Sequence, residues 1–188
     1  EDIALVQGRG RYADDVRLGQ ESHAYVLRSP HAHAAIRRID ATAARKAPGV
    51  LAVLTGADVK ADGLGDIPCM IPVTNPDGTP RGETPRPLLA ADRVRHVGDP
   101  VALVVADTLG HAKDAAELVE VDYDPLLAVA DTYGATQPGA ARVWPDVKNN
   151  VCFELAWGDA KAVDAAFKRA ARVVKVELEN NRLVANAI

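Results

Sequence analysis

A short glycine-spaced segment is the first candidate for chemistry. Gly8, Gly10 and Ala13 fit the pattern G-x-G-x-x-A, in which a strand, a glycine turn and a helix N-terminus bind the pyrophosphate of a dinucleotide. Only residues 3–6 could form the preceding strand, and residues 14–19 have the composition of a turn rather than an amphipathic helix. Asp14 and Asp15 would also repel a phosphate. The sequence therefore predicts a backbone turn that requires glycine, and it disfavours dinucleotide binding.

His31 and His33 form a second candidate. On a strand, H-x-H spacing places both imidazoles on one face, which can suit a metal ion. No acidic or cysteine residue lies nearby in the sequence, and Pro30 favours a turn. We therefore expect surface histidines rather than metal ligands. The other three histidines, at positions 23, 96 and 111, are isolated.

Two aspartate pairs could supply acid and base groups. Asp122 and Asp124 alternate with apolar residues, which indicates the solvated face of a strand, and the pair at positions 14 and 15 lies in the predicted turn. A glycosidase-type acid would need one carboxyl in an apolar pocket. The motifs G-x-S-x-G, H-E-x-x-H and Walker A are absent from the sequence. The residues alone therefore predict no catalytic, cofactor-binding or metal-binding site.

Composition excludes several function classes. The 188 residues include 22 Lys and Arg against 26 Asp and Glu, for a net charge of −4, which disfavours nucleic acid and anionic membranes as main partners. Cys69 and Cys152 are far apart and cannot by themselves form a four-cysteine metal site. With no apolar run of membrane-spanning length and no signal-peptide pattern, we expect a cytoplasmic protein.

The two ends of the sequence suggest a piece of a longer protein. The chain begins Glu1-Asp2-Ile3 rather than with methionine, and residues 183–188 are mostly apolar, whereas natural C-termini are commonly polar and frayed. We expect a fragment, and the alternative is a processed chain that is otherwise complete.

Periodicity predicts alternating strands and helices around one irregular segment. The predicted strands are residues 24–28, 34–39, 50–55, 93–97, 101–106, 119–124 and 174–178. The predicted helices are residues 41–47 after Asp40, residues 109–118 after Thr108, and residues 160–171 after Asp159. Residues 56–87 are rich in proline and glycine and read as a long surface loop, and residues 134–145 as a linker.

These elements predict an α/β (α+β) fold with a mixed sheet and few helices. The strands at 50–55 and 101–106 are expected to be buried on both faces. We expect one domain at residues 1–130 and an incomplete second α/β unit at residues 131–188. The strand at 174–178 would leave an unpaired edge that favours dimerisation or disorder.

Five segments in one order resemble the large, molybdenum-binding subunit of the molybdenum hydroxylases, the family of xanthine dehydrogenase, aldehyde oxidase and aerobic carbon monoxide dehydrogenase. They are G-x-G-x-Y-x-D-D from Gly8, R-S-P-H-A-H-A-x-I from Arg28, V-G-D-P-V-A-x-V-V-A from Val97, A-x-D-A-A-E-L-V-x-V-x-Y from Ala112, and N-N-R-L-V from Asn180. The segments resemble bacterial carbon-monoxide-dehydrogenase-like large chains most.

The resemblance implies an a/b hammerhead domain followed by the start of the molybdopterin-binding domain. It implies an oxidoreductase parent that hydroxylates its substrate at a molybdenum–molybdopterin centre with oxygen from water, and [2Fe–2S] clusters and FAD on partner subunits or domains. The family's catalytic and cofactor residues have no matching position here, so none is carried over. This region would be a scaffold and interface, inactive alone, in contact with the rest of the large subunit. A homodimer is the other assembly expected.

Two further expectations accompany this resemblance. Residues 56–87 would form an interface or a substrate funnel. The alternative to the whole interpretation is a complete small α/β ligand-binding protein or enzyme that uses the Gly8–Gly10 turn or the pair His31 and His33.

Overall fold

The computed structural model describes residues 2–70 and 72–178. Its strands are β1 (His23–Arg28), β2 (Ala34–Asp40), β3 (Val50–Thr55), β4 (Arg93–Val94), β5 (Pro100–Ala106) and β6 (Glu120–Pro125). Its helices are α1 (Asp2–Val6), α2 (Gly56–Ala61), α3 (Leu109–Glu117), α4 (Thr132–Ala135) and α5 (Ala160–Arg169), with 3-10 turns at Ala13–Asp15, Ala44–Lys46 and Lys148–Asn150. The predicted α/β class with few helices is confirmed.

The first sheet has the order β1-β5-β3, and both pairings are antiparallel. The central strand β5 is apolar nearly throughout, and Val101, Ala102, Val104 and Ala106 are fully buried. Helix α3 packs Ala112, Ala115 and Ala116 against this sheet. Small side chains on that face allow the helix to approach the sheet closely.

The second sheet has the order β4-β2-β6 and is also antiparallel. Ala34 of β2 lies opposite Val94 of β4 and Pro125 of β6. A small apolar cluster of Ala34, Ala90, Val94 and Val101 contains residues of both sheets. The strands therefore form two small antiparallel sheets, where the sequence predicts one mixed sheet.

The chain divides into two compact units, Glu1–Glu154 and Leu155–Ile188. The first unit contains both sheets, and the described part of the second contains α5. This helix begins after Asp159, whose carboxylate accepts a hydrogen bond from the Ala162 amide at 3.0 Å. A division into compact units does not test the predicted domain boundary at residues 130 and 131, which stays a prediction.

Residues 3–6, the only residues that could form a strand before the glycine turn, are helical instead. They belong to helix α1 at residues 2–6. A four-residue apolar run is compatible with either structure. The decisive feature is Gly8, whose φ of +67° ends the helix in the left-handed conformation that glycine adopts readily. The Gly8 and Arg9 amides donate to the Leu5 and Ala4 carbonyls.

The helix predicted at residues 41–47 is a single 3-10 turn, Ala44–Lys46. Pro48 disfavours helical backbone at the residue before it, and Ala47 is extended with ψ of 151°. Asp40 does accept a hydrogen bond from the Thr42 amide at 2.9 Å. The segment is too short for the predicted helix once the proline restricts its end.

The prediction that β3 is buried on both faces is also wrong. β5 has neighbours on both sides, whereas β3 is an edge strand of the three-stranded sheet. Leu51 is accordingly 63% exposed, while Val53 is buried. An apolar run of strand length does not reveal whether the strand is central or at an edge.

Three further segments differ in secondary structure from the sequence prediction. The predicted strand at 93–97 is reduced to β4 at Arg93–Val94. Residues 56–61, predicted as loop, form α2, where Asp58 accepts hydrogen bonds from the backbone amide and hydroxyl of Thr55, both at 2.7 Å. Residues 174–178 form no strand, and Val174 and Leu178 are exposed. Their alternation has no partner strand within the described residues.

No helix among the residues that the structure describes is long and apolar enough to cross a membrane.

Candidate functional site

The Gly8–Gly10 turn is a helix end rather than a phosphate cradle. It follows α1 instead of preceding a helix, and only the 3-10 turn Ala13–Asp15 comes next. A Cβ atom at Gly10 would approach only the end of the partly exposed Leu5 side chain, so the turn's need for glycine rests on Gly8, with its φ of +67°. The glycine-dependent turn predicted from the sequence is therefore present. The turn offers no helix N-terminus to an anion.

The two histidines of H-x-H have different surroundings. His33 is buried, contrary to the expectation of a surface residue, and its Nδ1 lies 2.7 Å from the carbonyl oxygen of Leu127. His31 is half-buried, and its ring centroid lies 4.8 Å from that of Tyr123. Burial raises the pKa of the Tyr123 hydroxyl. His33 thus holds the chain just after β6, and the two imidazoles do not form a common site.

Of the carboxylate candidates, Asp124 forms a surface ion pair, and Asp15 accepts a hydrogen bond from the Tyr12 amide at 2.9 Å. Asp124 pairs with Arg37, and Arg38 contacts Asp40 at 2.8 Å and Glu120 at 3.6 Å. Within the described residues, no group of three or more His, Cys, Asp and Glu side chains could hold a metal ion. These residues therefore offer no ligand set for a metal ion that side chains would coordinate directly.

A groove of about 580 Å³ is the best candidate for a binding site. We call it the Arg95 groove. It is lined by Ile67, the segment 84–87, Arg95, His96, Asp99, Pro100, Val143 and Trp144. The Arg95 guanidinium carbon lies 3.7 Å from the centroid of the Trp144 ring, so a residue just after β4 stacks on one 49 positions later in the chain.

Hydrogen bonds fix the floor of the Arg95 groove. Asp99 accepts from the Arg95 amide at 2.7 Å, and its other oxygen lies 3.3 Å from Nδ1 of His96. The Asp99 amide in turn donates to the His96 carbonyl at 3.2 Å. This tight turn, closed by Gly98 with φ of +92°, holds the backbone of Arg95 against the core.

Electrostatics distinguish Arg95 from the other arginines. Burial lowers the pKa of its guanidinium, against the opposing effect of the Asp92 and Asp99 carboxylates. Its Nε is buried and has no hydrogen-bond partner among the described residues, and Nη1 makes only a 3.4 Å contact with the Arg93 carbonyl. A partly desolvated cation with so few acceptors favours an anionic ligand. The groove has no nucleophile paired with a base, so the arrangement supports binding rather than catalysis.

Sequence reasoning missed this groove. Arg95 lies in a predicted strand and Trp144 in a predicted linker, and nothing in their spacing indicates that they meet. The available signal was Trp144 itself, because a large aromatic residue is unusual in a proline- and glycine-rich linker and commonly packs against something.

Residues 7–127 match the aldehyde oxidase and xanthine dehydrogenase a/b hammerhead domain. The chain belongs to this family. The predicted family and its hammerhead fold are thereby confirmed, and they account for the two small sheets and few helices.

Named relatives agree with the family. The chain is 38% identical over 187 residues to the carbon monoxide dehydrogenase large chain of Afipia carboxidovorans, covering 93% of this chain and 22% of that protein. It is 37% identical over 143 residues to the xanthine dehydrogenase molybdenum-binding subunit of Escherichia coli O157:H7, covering 75% of this chain and 18% of that protein. The chain spans about a fifth of the length of these curated relatives.

Solved structures give the same result. Carbon monoxide dehydrogenase from Oligotropha carboxidovorans matches with a TM-score of 0.73 and 36% identity, over 91% of this chain and 21% of that chain. Quinoline 2-oxidoreductase from Pseudomonas putida 86 matches with a TM-score of 0.67 and 40% identity, over 76% of this chain and 17% of that chain. The similarity therefore extends to backbone geometry.

Proposed function

We propose that this chain is the scaffold and interface part of the large chain of a molybdenum-dependent oxidoreductase of the carbon monoxide dehydrogenase, xanthine dehydrogenase and aldehyde oxidase type. The observation that supports this most is the hammerhead match over residues 7–127, together with relatives whose names are those of oxidoreductases. In this proposal residues 1–130 are the hammerhead domain, and residues 131–188 begin the molybdopterin-binding domain. Catalysis belongs to the parent protein, and this part is inactive alone.

The proposal assigns the cofactors to other parts of the assembly. The rest of the large chain would hold the molybdenum–molybdopterin group, because the family's cofactor-binding residues have no matching position in this sequence. The [2Fe–2S] clusters and FAD would reside on partner subunits or domains. The curated relative in Escherichia coli O157:H7 is itself named a molybdenum-binding subunit.

The irregular segment between α2 and β4 has a proposed role in the same assembly. It leaves Ile67 and Met70 more than half exposed, and exposed apolar side chains are typical of surfaces that another protein covers. We place an interface or a substrate funnel here. We also propose a second copy of the chain as a partner. The proposed compartment is the cytoplasm.

Metal and flavin analysis of the full natural protein, purified with its co-purifying subunits, tests this proposal. We expect molybdenum in proportion to the large chain, and iron and flavin in proportion to the other polypeptides. The control variant His31→Ala should retain the same molybdenum content, because this ring packs beside Tyr123 and belongs to no group of three or more potential metal ligands among the described residues.

Two results would overturn the proposal. One is a preparation with no molybdenum in which another metal disappears in His31→Ala. The other is a fully active, molybdenum-free protein consisting of residues 1–188 alone.

A further inference from the structure

The Arg95 groove contains two guanidinium groups that form no ion pair with the described residues. Arg95 is half-buried and Arg86 is exposed, and both line the groove. Of the four arginines in the strands, Arg37 and Arg38 pair with carboxylates. Two guanidinium groups without a direct ion pair therefore share one concave surface.

The acidic side chain in the groove offsets the charge of Arg95 only in part, because it forms no ion pair with the guanidinium. Asp99 accepts the Arg95 backbone amide and lies beside His96, so its oxygens point to the turn that it closes. Asp92 and Asp66 also act on Arg95, but neither forms an ion pair with its guanidinium. His96 is two-thirds exposed at the rim of the groove and lies beside Asp99.

The remaining wall of the groove is apolar and rigid. Pro85, Pro87, Pro100, Ile67 and Val143 line it together with the Trp144 ring. Prolines have fixed φ angles, so this wall loses little conformational entropy when it contacts a ligand. A volume of about 580 Å³ is within the range of small-molecule sites.

We propose that the Arg95 groove binds a small organic carboxylate with a planar apolar body. The carboxylate would pair with the Arg95 and Arg86 guanidinium groups, whose planar donor fork matches two carboxylate oxygens. The apolar body would lie against the proline and tryptophan wall. An inorganic anion would use only the cationic half of this surface.

Benzoate is the probe, because it carries one carboxylate on a planar ring, and benzamide is its neutral counterpart of similar shape. Binding to the full chain would be measured by calorimetry and by saturation-transfer NMR at low ionic strength. We expect saturable benzoate binding with little response to benzamide. Charge-assisted hydrogen bonds predict about a tenfold weaker benzoate affinity in Arg95→Gln and in Arg86→Gln.

The variants separate binding from folding. Arg86→Gln changes an exposed side chain that forms no ion pair within the described residues. We therefore expect it to preserve the fold even where Arg95→Gln disrupts it. Arg11→Gln is the matched control, since it removes one exposed positive charge outside the groove and should bind benzoate as the unchanged protein does.

Three outcomes would overturn the proposal. They are no saturable benzoate binding, equal binding of benzamide, and binding that is unchanged in Arg86→Gln and Arg95→Gln. If benzoate fails to bind while Arg95→Gln weakens assembly with other polypeptides, the groove is a protein interface instead. None of these results depends on the molybdenum content, so the failure of this inference is distinct from failure of the proposed function.

Discussion

Helices α3 and α5 have similar sequences and different surroundings. Both are amphipathic and alanine-rich, and both begin with a side-chain cap, Thr108 for α3 and Asp159 for α5. The α3 face of Ala112, Ala115 and Ala116 is completely buried against β5. On α5, no described residue is buried, and Val163 and Phe167 are 51% and 59% exposed.

This difference shows what a periodic pattern specifies. Apolar spacing and caps are local properties, so they specify the helix in both cases. Burial depends on a second surface, which the antiparallel sheet supplies to α3. We therefore expect substitutions in the core of the first unit to change stability, and equivalent changes on α5 to have local effects.

The largest expected effect is from a charge in the core. Val104→Asp places a carboxylate at a fully buried position of β5 and should lower the free energy of unfolding by about 3 kcal/mol or more, since an unpaired buried charge is strongly unfavourable. Val163→Asp on α5 is the matched control and should change it by less than about 0.5 kcal/mol. Urea unfolding followed by circular dichroism measures both, and equal losses would contradict the comparison.

A smaller effect is expected at the helix caps. The Thr108 hydroxyl accepts a hydrogen bond from the His111 amide at 3.1 Å, and Thr108→Ala should lower the free energy of unfolding by about 1 kcal/mol. Asp159→Ala should instead speed amide exchange within residues 160–169 and leave the unfolding midpoint of the first unit unchanged. A shift of that midpoint in Asp159→Ala would show that α5 is coupled to the core.

The smallest effect is a pH dependence at α2. Hydrogen bonds from the Thr55 hydroxyl and amide hold the pKa of Asp58 below its ordinary value of 3.8. A carboxyl with a lowered folded-state pKa stabilises the fold above its unfolded-state pKa, and this stabilisation is lost as the pH falls through the lowered value. Asp58→Asn should therefore show a smaller fall in melting temperature between pH 6 and pH 2 than the unchanged protein.

The control for this pH experiment is Asp62→Asn, which removes a carboxyl at the other end of α2. If Asp58→Asn and Asp62→Asn show the same change in acid sensitivity, the Thr55–Asp58 cap has no special role.

Much of the fold could be predicted because its signals are local. The strands β1, β2, β5 and β6 and the helices α3 and α5 lie within about two residues of their predicted positions. Their alternation, helical periodicity and caps act over a few residues. The hammerhead family was likewise predictable from five ordered segments, and the match over residues 7–127 contains the first four of them. The fifth, at residues 180–184, lies outside the described residues.

The errors occur where distant residues or backbone restrictions decide the outcome. The edge position of β3 depends on which strand lies beside β5, and the buried state of His33 depends on Leu127, 94 residues later. The contact between Arg95 and Trp144 is equally nonlocal. By contrast, Pro48 and Gly8 were visible in the sequence, and their effects on the helix at 41–47 and on α1 were underestimated.

The central claim is that this region positions other parts of an enzyme and does no chemistry itself. Turnover per bound molybdenum in the full assembled protein is the decisive measurement, with variants at the half-buried His31 and the exposed His96, namely His31→Asn and His96→Asn. We expect turnover within about twofold of the unchanged protein. A fall of about a hundredfold, as expected when an acid–base group is lost, would contradict it.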